Sequence, residues 1–273
     1  MSRCLQSGPP VILSMDVCSQ DDSEYRVLIQ GRVRYLTIAR GTYDRSTLSM
    51  PLDALPDLPE SDSWNRAHII RESMTGELKA EFWNETLPEV QDIWHPNSFD
   101  CLELQRVKQI TAATYEATFP SQGLSTSSKP MPTAIAKIAR FWWEIPRLSQ
   151  ETRIYKTLEN TGLAPRFLGH IHENGRVIGI LLEKLEGREA NIKDLPACIS
   201  VLKQLHTIGI HHGDVNRYNF IVQNDAARLI DFERSQICHG DAASLEAEMA
   251  SLNGQLNERT GRGGGFRFNE AQR

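Results

Sequence analysis

The run His212-Gly213-Asp214-Val215-Asn216-Arg217-Tyr218-Asn219, followed by Leu229-Ile230-Asp231-Phe232, decides how this chain is read. Asp214 and Asn219 stand five residues apart, His212 lies two before the aspartate, and Asp231 comes twelve after Asn219, before a phenylalanine. An isolated His-x-Asp says little, because structural histidines and capping aspartates occur in any loop. The joint pattern says more. Upstream, Ile199, Leu202 and Leu205 at helical spacing, stopped by Gly209, predict a helix leading into His212. Downstream, 220–223 and 228–232 read as two short strands around Asn224-Asp225.

Toward the N-terminus, 167–173 and 176–185 around Asn174-Gly175 form the clearest hairpin in the sequence. Pro146 opens a predicted helix whose Leu148, Glu151, Tyr155 and Leu158 recur at spacings of three, four and three, which turns Glu151 to the packed side. Before it, 102–111, 114–119 and 133–139 read as three strands of an antiparallel sheet, with a Ser/Pro/Gly-rich loop over 120–132. Residues 1–22 have no period and read as a loose arm, so order is expected from about Glu24. A hairpin follows over 25–30 and 32–38 around Gly31, then a loop over 41–63. Leu78, Phe82, Leu87 and Val90 suggest a helix over 76–90, against which Pro88 counts. A last helix is expected over 242–256, ahead of the glycines at 261–265.

The 273 residues, 40% hydrophobic and 24% charged, suit a soluble globular protein of one large or two small domains. A net charge of −5 argues against a broad nucleic-acid footprint. The five cysteines are scattered with no C-x-x-C pair, so reduced thiols are expected rather than a zinc or redox site. Val11-Ile12-Leu13 is far too short for a signal segment and no apolar stretch reaches bilayer length, which points to the cytoplasm, or else the nucleus, and to no membrane or nucleic-acid partner. His170, His172, His206 and His211 lack metal-ligand spacing and read as structural or exposed.

Phosphoryl transfer needs phosphates held, their charge neutralised and an acceptor hydroxyl placed in line. A strand lysine, a helix glutamate, an aspartate with an asparagine five later, and a second aspartate meet that need. Candidates stand here in that order: Lys137 in Ala134-Ile135-Ala136-Lys137, Glu151, Asp214 with Asn219, and Asp231. On these motifs, residues from about 105 to 260 resemble the small atypical members of the protein-kinase-like superfamily: the aminoglycoside phosphotransferases, RIO kinases and lipopolysaccharide-core kinases.

The resemblance implies an α+β, two-lobed protein-kinase-like fold. Its antiparallel-sheet N-lobe would span 102–185 and its minimal helical C-lobe 186–260, behind an extension over 1–101 that contains a β-hairpin and ahead of a flexible tail over 261–273. It implies an ATP-dependent phosphotransferase using ATP and Mg²⁺, with a small-molecule or specific protein hydroxyl as acceptor. Asp214 would take or orient the acceptor's proton, with His212 beside it in the catalytic loop. Lys137 would contact the phosphates and pair with Glu151, rather than with Glu144, from which Pro146 separates the helix body. Asn219 and Asp231 would bind the metal, and Glu183 and Leu185 would lie where backbone groups meet adenine. Arg217 and Tyr218 would either meet the acceptor or pack the loop.

Three features depart from the family pattern. The turn Thr111-Ala112-Ala113-Thr114 has no glycine, Glu233 stands where a protein kinase has glycine after Asp-Phe, and little chain follows Asp231. The last points to a small molecule or a specific bound partner as acceptor. The glycine-free turn supports the rival reading, a pseudokinase or scaffold that binds nucleotide or a partner without catalysis.

Overall fold

A computed structural model describes residues 8–119, 133–238 and 241–263. The chain divides into two compact units, one up to Pro88 and one from Glu89. In the first, β1 (Val11–Asp16), β2 (Ser23–Ile29), β3 (Arg32–Ile38), β4 (Arg66–Arg71) and β5 (Leu78–Trp83) form one sheet in sequence order, antiparallel except for the β3–β4 pair. A parallel neighbour requires a crossover, and the chain between β3 and β4 supplies it through α1 (Arg45–Ser49), capped by the Asp44 side chain on Thr47 N–H. Leu48, Leu52, Leu55 and Leu58 from that crossover pack on Tyr25, Val27, Leu36, Ile38 and Ile69 of the sheet.

The expected hairpin is β2–β3, but it sits inside a five-stranded sheet, and two sequence readings are corrected here. Order begins well before Glu24, because β1 pairs with β2 across a bulge between Ile12 and Ser14. The helix expected over 76–90 is instead strand β5: Leu78, Ala80 and Phe82 alternate with the more exposed Lys79, Glu81 and Trp83. That is a period of two, and pairing with β4 enforces it.

The second unit contains β6 (Ser98–Asp100), β7 (Gln105–Gln109), β8 (Thr114–Thr118), β9 (Thr133–Ile138), α2 (Ile145–Thr157), β10 (Phe167–Glu173) and β11 (Arg176–Glu183). Its six-stranded sheet runs β6-β10-β11-β9-β8-β7, with only β6 parallel to its neighbour. The first of the three strands expected before Lys137 is shorter than the sequence suggested, since 101–103 form a turn. The loop expected over 120–132 lies outside the described residues. β12 (Arg188–Glu189) leads to α3 (Leu195–Thr207), β13 (Ile210–His211), β14 (Phe220–Gln223), β15 (Ala226–Leu229), β16 (Gln236–Ile237) and α4 (Ala242–Asn257). The strand expected to run to Phe232 stops at Leu229, because Asp231 adopts φ +65°. One core joins α2, α3, α4 and the β14–β15 hairpin, with Tyr155, Leu202, Leu205, Phe220, Phe232 and Leu252 buried in it. The architecture is α+β, sheet-rich before α3 and helical with short strands after it. Among the described residues no helix is long and apolar enough to cross a membrane.

The segment 89–97 is fastened to this unit by polar groups. Val90 N–H donates to Val177 O, and the N–H groups of Trp94 and His95 both donate to Nε2 of buried His170, at 3.2 and 3.3 Å. The Trp94 ring lies 4.6 Å from that of Phe167, and its Nε1–H donates to Thr152 O of α2. Burial, reinforced by nearby His95, holds the His170 pKa down at about 4. Below about pH 6.5 the unfolded chain takes up a proton here that the folded chain refuses until about pH 4. Stability is therefore lost as pH falls through that window, by at most about 1.4 kcal/mol per pH unit. We expect His170→Gln, which keeps an acceptor for the two N–H groups, to reduce the loss in urea stability between pH 7 and pH 4.5. An equal loss in both proteins would contradict the assignment.

Candidate active site

Alternation along β9 buries Ala134, Ala136 and Ile138 on one face and leaves Lys137 on the other, where α2 packs. On α2, Leu148, Glu151, Ile154 and Tyr155 form the buried stripe, so Glu151 faces inward. Lys137 Nζ lies 2.7 Å from Glu151 Oε2, 2.6 Å from Asp231 Oδ1 and 3.7 Å from Glu233 Oε2. Glu144, the other helix candidate, is taken by Arg140 at 2.6 Å. Burial alone would depress the Lys137 ammonium, but the three carboxylates more than offset it and hold its pKa above the ordinary value. Burial pushes the Glu151 carboxyl up, against the pull of Lys137. For Asp231 the balance is reversed: burial would raise its pKa, but Lys137 wins and lowers it.

Asp231 follows β15, and its left-handed backbone, uncommon for a residue with a Cβ, turns its carboxylate to Lys137. Phe232 N–H, the next along, donates to the other oxygen of Glu151 at 3.2 Å. The Phe232 ring lies between Tyr155 of α2, 5.3 Å away, and His212, 5.0 Å away. α2, the Asp231 segment and the loop after β13 are thus locked by one ion-pair cluster and one aromatic column.

That loop carries Asp214. His212 is wholly buried; its Nδ1 accepts from Asp214 N–H at 3.3 Å, so Nε2 is the protonated nitrogen and donates to Ile230 O at 3.1 Å. Burial lowers its pKa, with Glu248 opposing. His212 is therefore a neutral brace between Asp214 and Ile230. Gly213 has φ +81°, and a Cβ there would fall 2.5 Å from Arg234 O, so both backbone and space require glycine. Asn219 Nδ2 donates to Asp214 O at 2.9 Å, and Asn216 Nδ2 donates to Asp214 Oδ1 at 2.8 Å. Arg217 and Tyr218 stack on each other, guanidinium 5.2 Å from ring centre. Glu183 accepts from Arg166 N–H and pairs with Arg228, and Leu185 lines a cavity of about 80 Å³ with Ile221, Ala226 and Arg228. The structure thus gathers Lys137, Glu151 and Asp231 into one cluster, and Asp214, His212 and Asn219 into the adjoining loop.

Two residues of this site were not singled out in the sequence. Asn216 is one. The other is Glu248 of α4, which accepts from His212 N–H at 3.1 Å and Gly213 N–H at 2.6 Å while its oxygens also lie 2.8 Å from His206 Nε2 and 3.4 Å from His211 Nε2. The available signal was its place four and eight residues before Leu252 and Leu256, a carboxylate on the buried stripe of a helix.

A lysine–glutamate–aspartate cluster beneath an antiparallel sheet, next to an Asp-x-x-x-x-Asn loop, defines the class: the second unit is protein-kinase-like. Within that superfamily, residues 181–260 match the lipopolysaccharide kinase (Kdo/WaaP) family, from the last residues of β11 through the end of α4. Kinases of that family are phosphotransferases. No curated protein matches the chain.

Removing the Glu248 carboxylate takes the acceptor from the buried His212 N–H and from the part-buried Gly213 N–H. Glu248→Ala should lower urea stability by about 3 kcal/mol and speed hydrogen exchange at His212 and Gly213. Unchanged protection at those two amides would refute the anchoring role.

Proposed function

We propose that the second unit is an ATP-dependent phosphotransferase that moves the γ-phosphoryl group of ATP to a hydroxyl of a small molecule or of a specific protein partner. The observation that carries this reading is the Lys137–Glu151–Asp231 cluster set beside the braced Asp214 loop. Asp214 Oδ1 is held by Asn216, which leaves Oδ2 to receive the acceptor's proton. As the acceptor oxygen bonds to the γ-phosphorus, the bond to the β–γ bridging oxygen breaks and ADP departs. Lys137, kept charged, contacts the phosphates, and Glu151 fixes its direction. Backbone groups from Glu183 to Leu185 meet the adenine edge.

The donor set fits a hard cation. Asp231 is partly exposed and anionic, and the Asn219 amide nitrogen is tied to Asp214 O, which leaves its oxygen as a ligand atom. Among the described residues no three His, Cys, Asp or Glu side chains form a metal site by themselves. That agrees with Mg²⁺, which is bound through one or two carboxylates plus substrate phosphates. When held by Asp231 and Asn219 with the nucleotide, Mg²⁺ supplies neutralisation of the phosphate charge.

A second reading, a pseudokinase or scaffold that binds nucleotide or a partner without catalysis, is favoured by the β7–β8 turn. There Thr111 Oγ1 accepts from the N–H groups of both Ala113 and Thr114, and the N–H groups of Ile110 and Thr111 go to Thr114 O. These amides are engaged within the turn rather than offered to phosphate.

The test is thermal shift with ATP, with and without Mg²⁺, combined with ATP turnover against pooled hydroxyl acceptors. At a hundred-fold excess over Kd, ATP should raise the midpoint by roughly 5–10 °C, and Asp231→Asn should remove the Mg²⁺-dependent part. Asp214→Asn should keep the shift and lose turnover by roughly a hundred-fold or more. No shift under either condition, or full turnover by Asp214→Asn, refutes the proposal, while a shift without turnover decides for the second reading.

A further inference from the structure

The chain returns to the Asp214 loop after α4. Glu258, the residue following the helix, accepts through Oε1 from Thr260 N–H at 2.6 Å and from Thr260 Oγ1 at 2.5 Å. The N–H groups of Gly261 and Arg262 also favour its charged form, after the stronger contribution of Thr260. A carboxylate held in this way closes a tight turn. Gly261 and Gly263, at φ +85° and +89°, carry the backbone through it.

The turn delivers Gly263 onto Asn216. A Cβ built on Gly263 would lie 2.8 Å from Asn216 Cγ and 3.0 Å from its Cβ and Nδ2. Asn216 is buried, and both arms of its amide are engaged, Nδ2 on Asp214 Oδ1 at 2.8 Å and Oδ1 on Tyr218 N–H at 2.9 Å. It is not the loose end of a flexible side chain. To make room for a methyl group at 263, either the segment moves off Asn216 or Asn216 gives up one of these bonds, one of which fixes the Asp214 carboxylate.

We propose that Gly263 is a positioning residue for the phosphoryl transfer proposed above: the segment Glu258–Gly263 seats Asn216, and through Asn216 holds the Asp214 carboxylate with its second oxygen toward the acceptor hydroxyl. This inference rests on the phosphotransferase reading for its catalytic consequence, but the seat itself is independent of turnover. α4 then serves the loop twice, through Glu248 at His212 and Gly213 and through its C-terminal extension at Asn216. Gly263 touches no reacting atom.

The test is Gly263→Ala in the full chain, with ATP and MgCl₂ as substrate, water as the acceptor, and hydrogen exchange measured in parallel. The kcat for ATP hydrolysis should fall roughly ten- to hundred-fold, as for a displacement of the order of an ångström at a catalytic group, with the KM for ATP within two-fold of the wild type. Exchange at Tyr218 and Asn219 should be faster. In an Asn216→Gly background, where the clash has no side chain to displace, Gly263→Ala should have little further effect on kcat. Wild-type kcat and exchange in Gly263→Ala overturn the inference, and so does a loss that persists in full beside Asn216→Gly, since backbone strain alone would then explain it. If the wild type hydrolyses no ATP with water as acceptor, the phosphotransferase reading is decided by the thermal shift and pooled hydroxyl acceptors described above, and exchange decides the seat: unchanged protection at Tyr218 and Asn219 overturns it.

Discussion

One ammonium group organises the second unit. Lys137 lies between a carboxylate on α2 and a carboxylate beyond β15, at 2.7 and 2.6 Å, with Glu233 further off. Withdrawing such charges from water costs several kcal/mol per ion, and the geometry must be good for attraction to offset it. Replacing a whole buried ion cluster by apolar groups of similar volume is often no loss in stability. The cluster is therefore better understood as fixing direction: it sets β9, α2 and the Asp231 segment in one arrangement, since any other leaves a buried charge without a partner. Phe232 N–H on Glu151 and the Tyr155–Phe232–His212 column extend that constraint to the loop carrying Asp214. Three carboxylates against one ammonium leave the cluster net negative, which under the proposed function is the demand that a divalent cation meets.

The loop is held by a different logic. It is shaped by hydrogen bonds to its backbone and polar side chains: Glu248 and His212 on one side, Asn216, Asn219 and Ser235 on the other, the last donating its hydroxyl to His212 O at 2.7 Å. Gln150 of α2 reaches Ser235 O at 2.8 Å, so the helix that carries Glu151 also supports the loop from behind. Low dielectric strengthens each of these bonds and raises the cost of losing any one. Such a network suits a loop whose aspartate must meet a substrate hydroxyl in one orientation.

How much of this was legible depended on whether the signal was local. The β10–β11 hairpin announces itself through Asn174-Gly175, both at positive φ, and α2 through Pro146 and the stripe that turns Glu151 inward. The Asp214, Asn219 and Asp231 spacings were readable because loop and strand lengths fix them. Strand β5 was not readable, because Leu78 and Phe82 satisfy a helical spacing as well as a period of two, and only β4 decides between them. Strand β1 was hidden for a different reason: its apolar run is short and its pairing is broken by a bulge. Glu248 and Gly263 depend on α4 and its extension meeting residues thirty-five and forty-seven positions earlier, and no local pattern encodes that.

The turn between β7 and β8 shows how one site can be strong in one part and sparse in another. A phosphate-covering loop works by presenting backbone N–H groups, and glycine lets them approach. Here the threonine hydroxyl at 111 occupies two of those groups and the carbonyl of Thr114 two more, so the turn satisfies itself. Opening it would leave amides unpaired unless phosphate oxygens replaced the lost partners. Under the proposed function, the charge on the phosphates then falls to Lys137 and to the cation held at Asp231 and Asn219, with little help from the turn. A site so arranged depends more steeply on its metal and its lysine than one with an amide cradle, because it has fewer other groups with which to neutralise the phosphates.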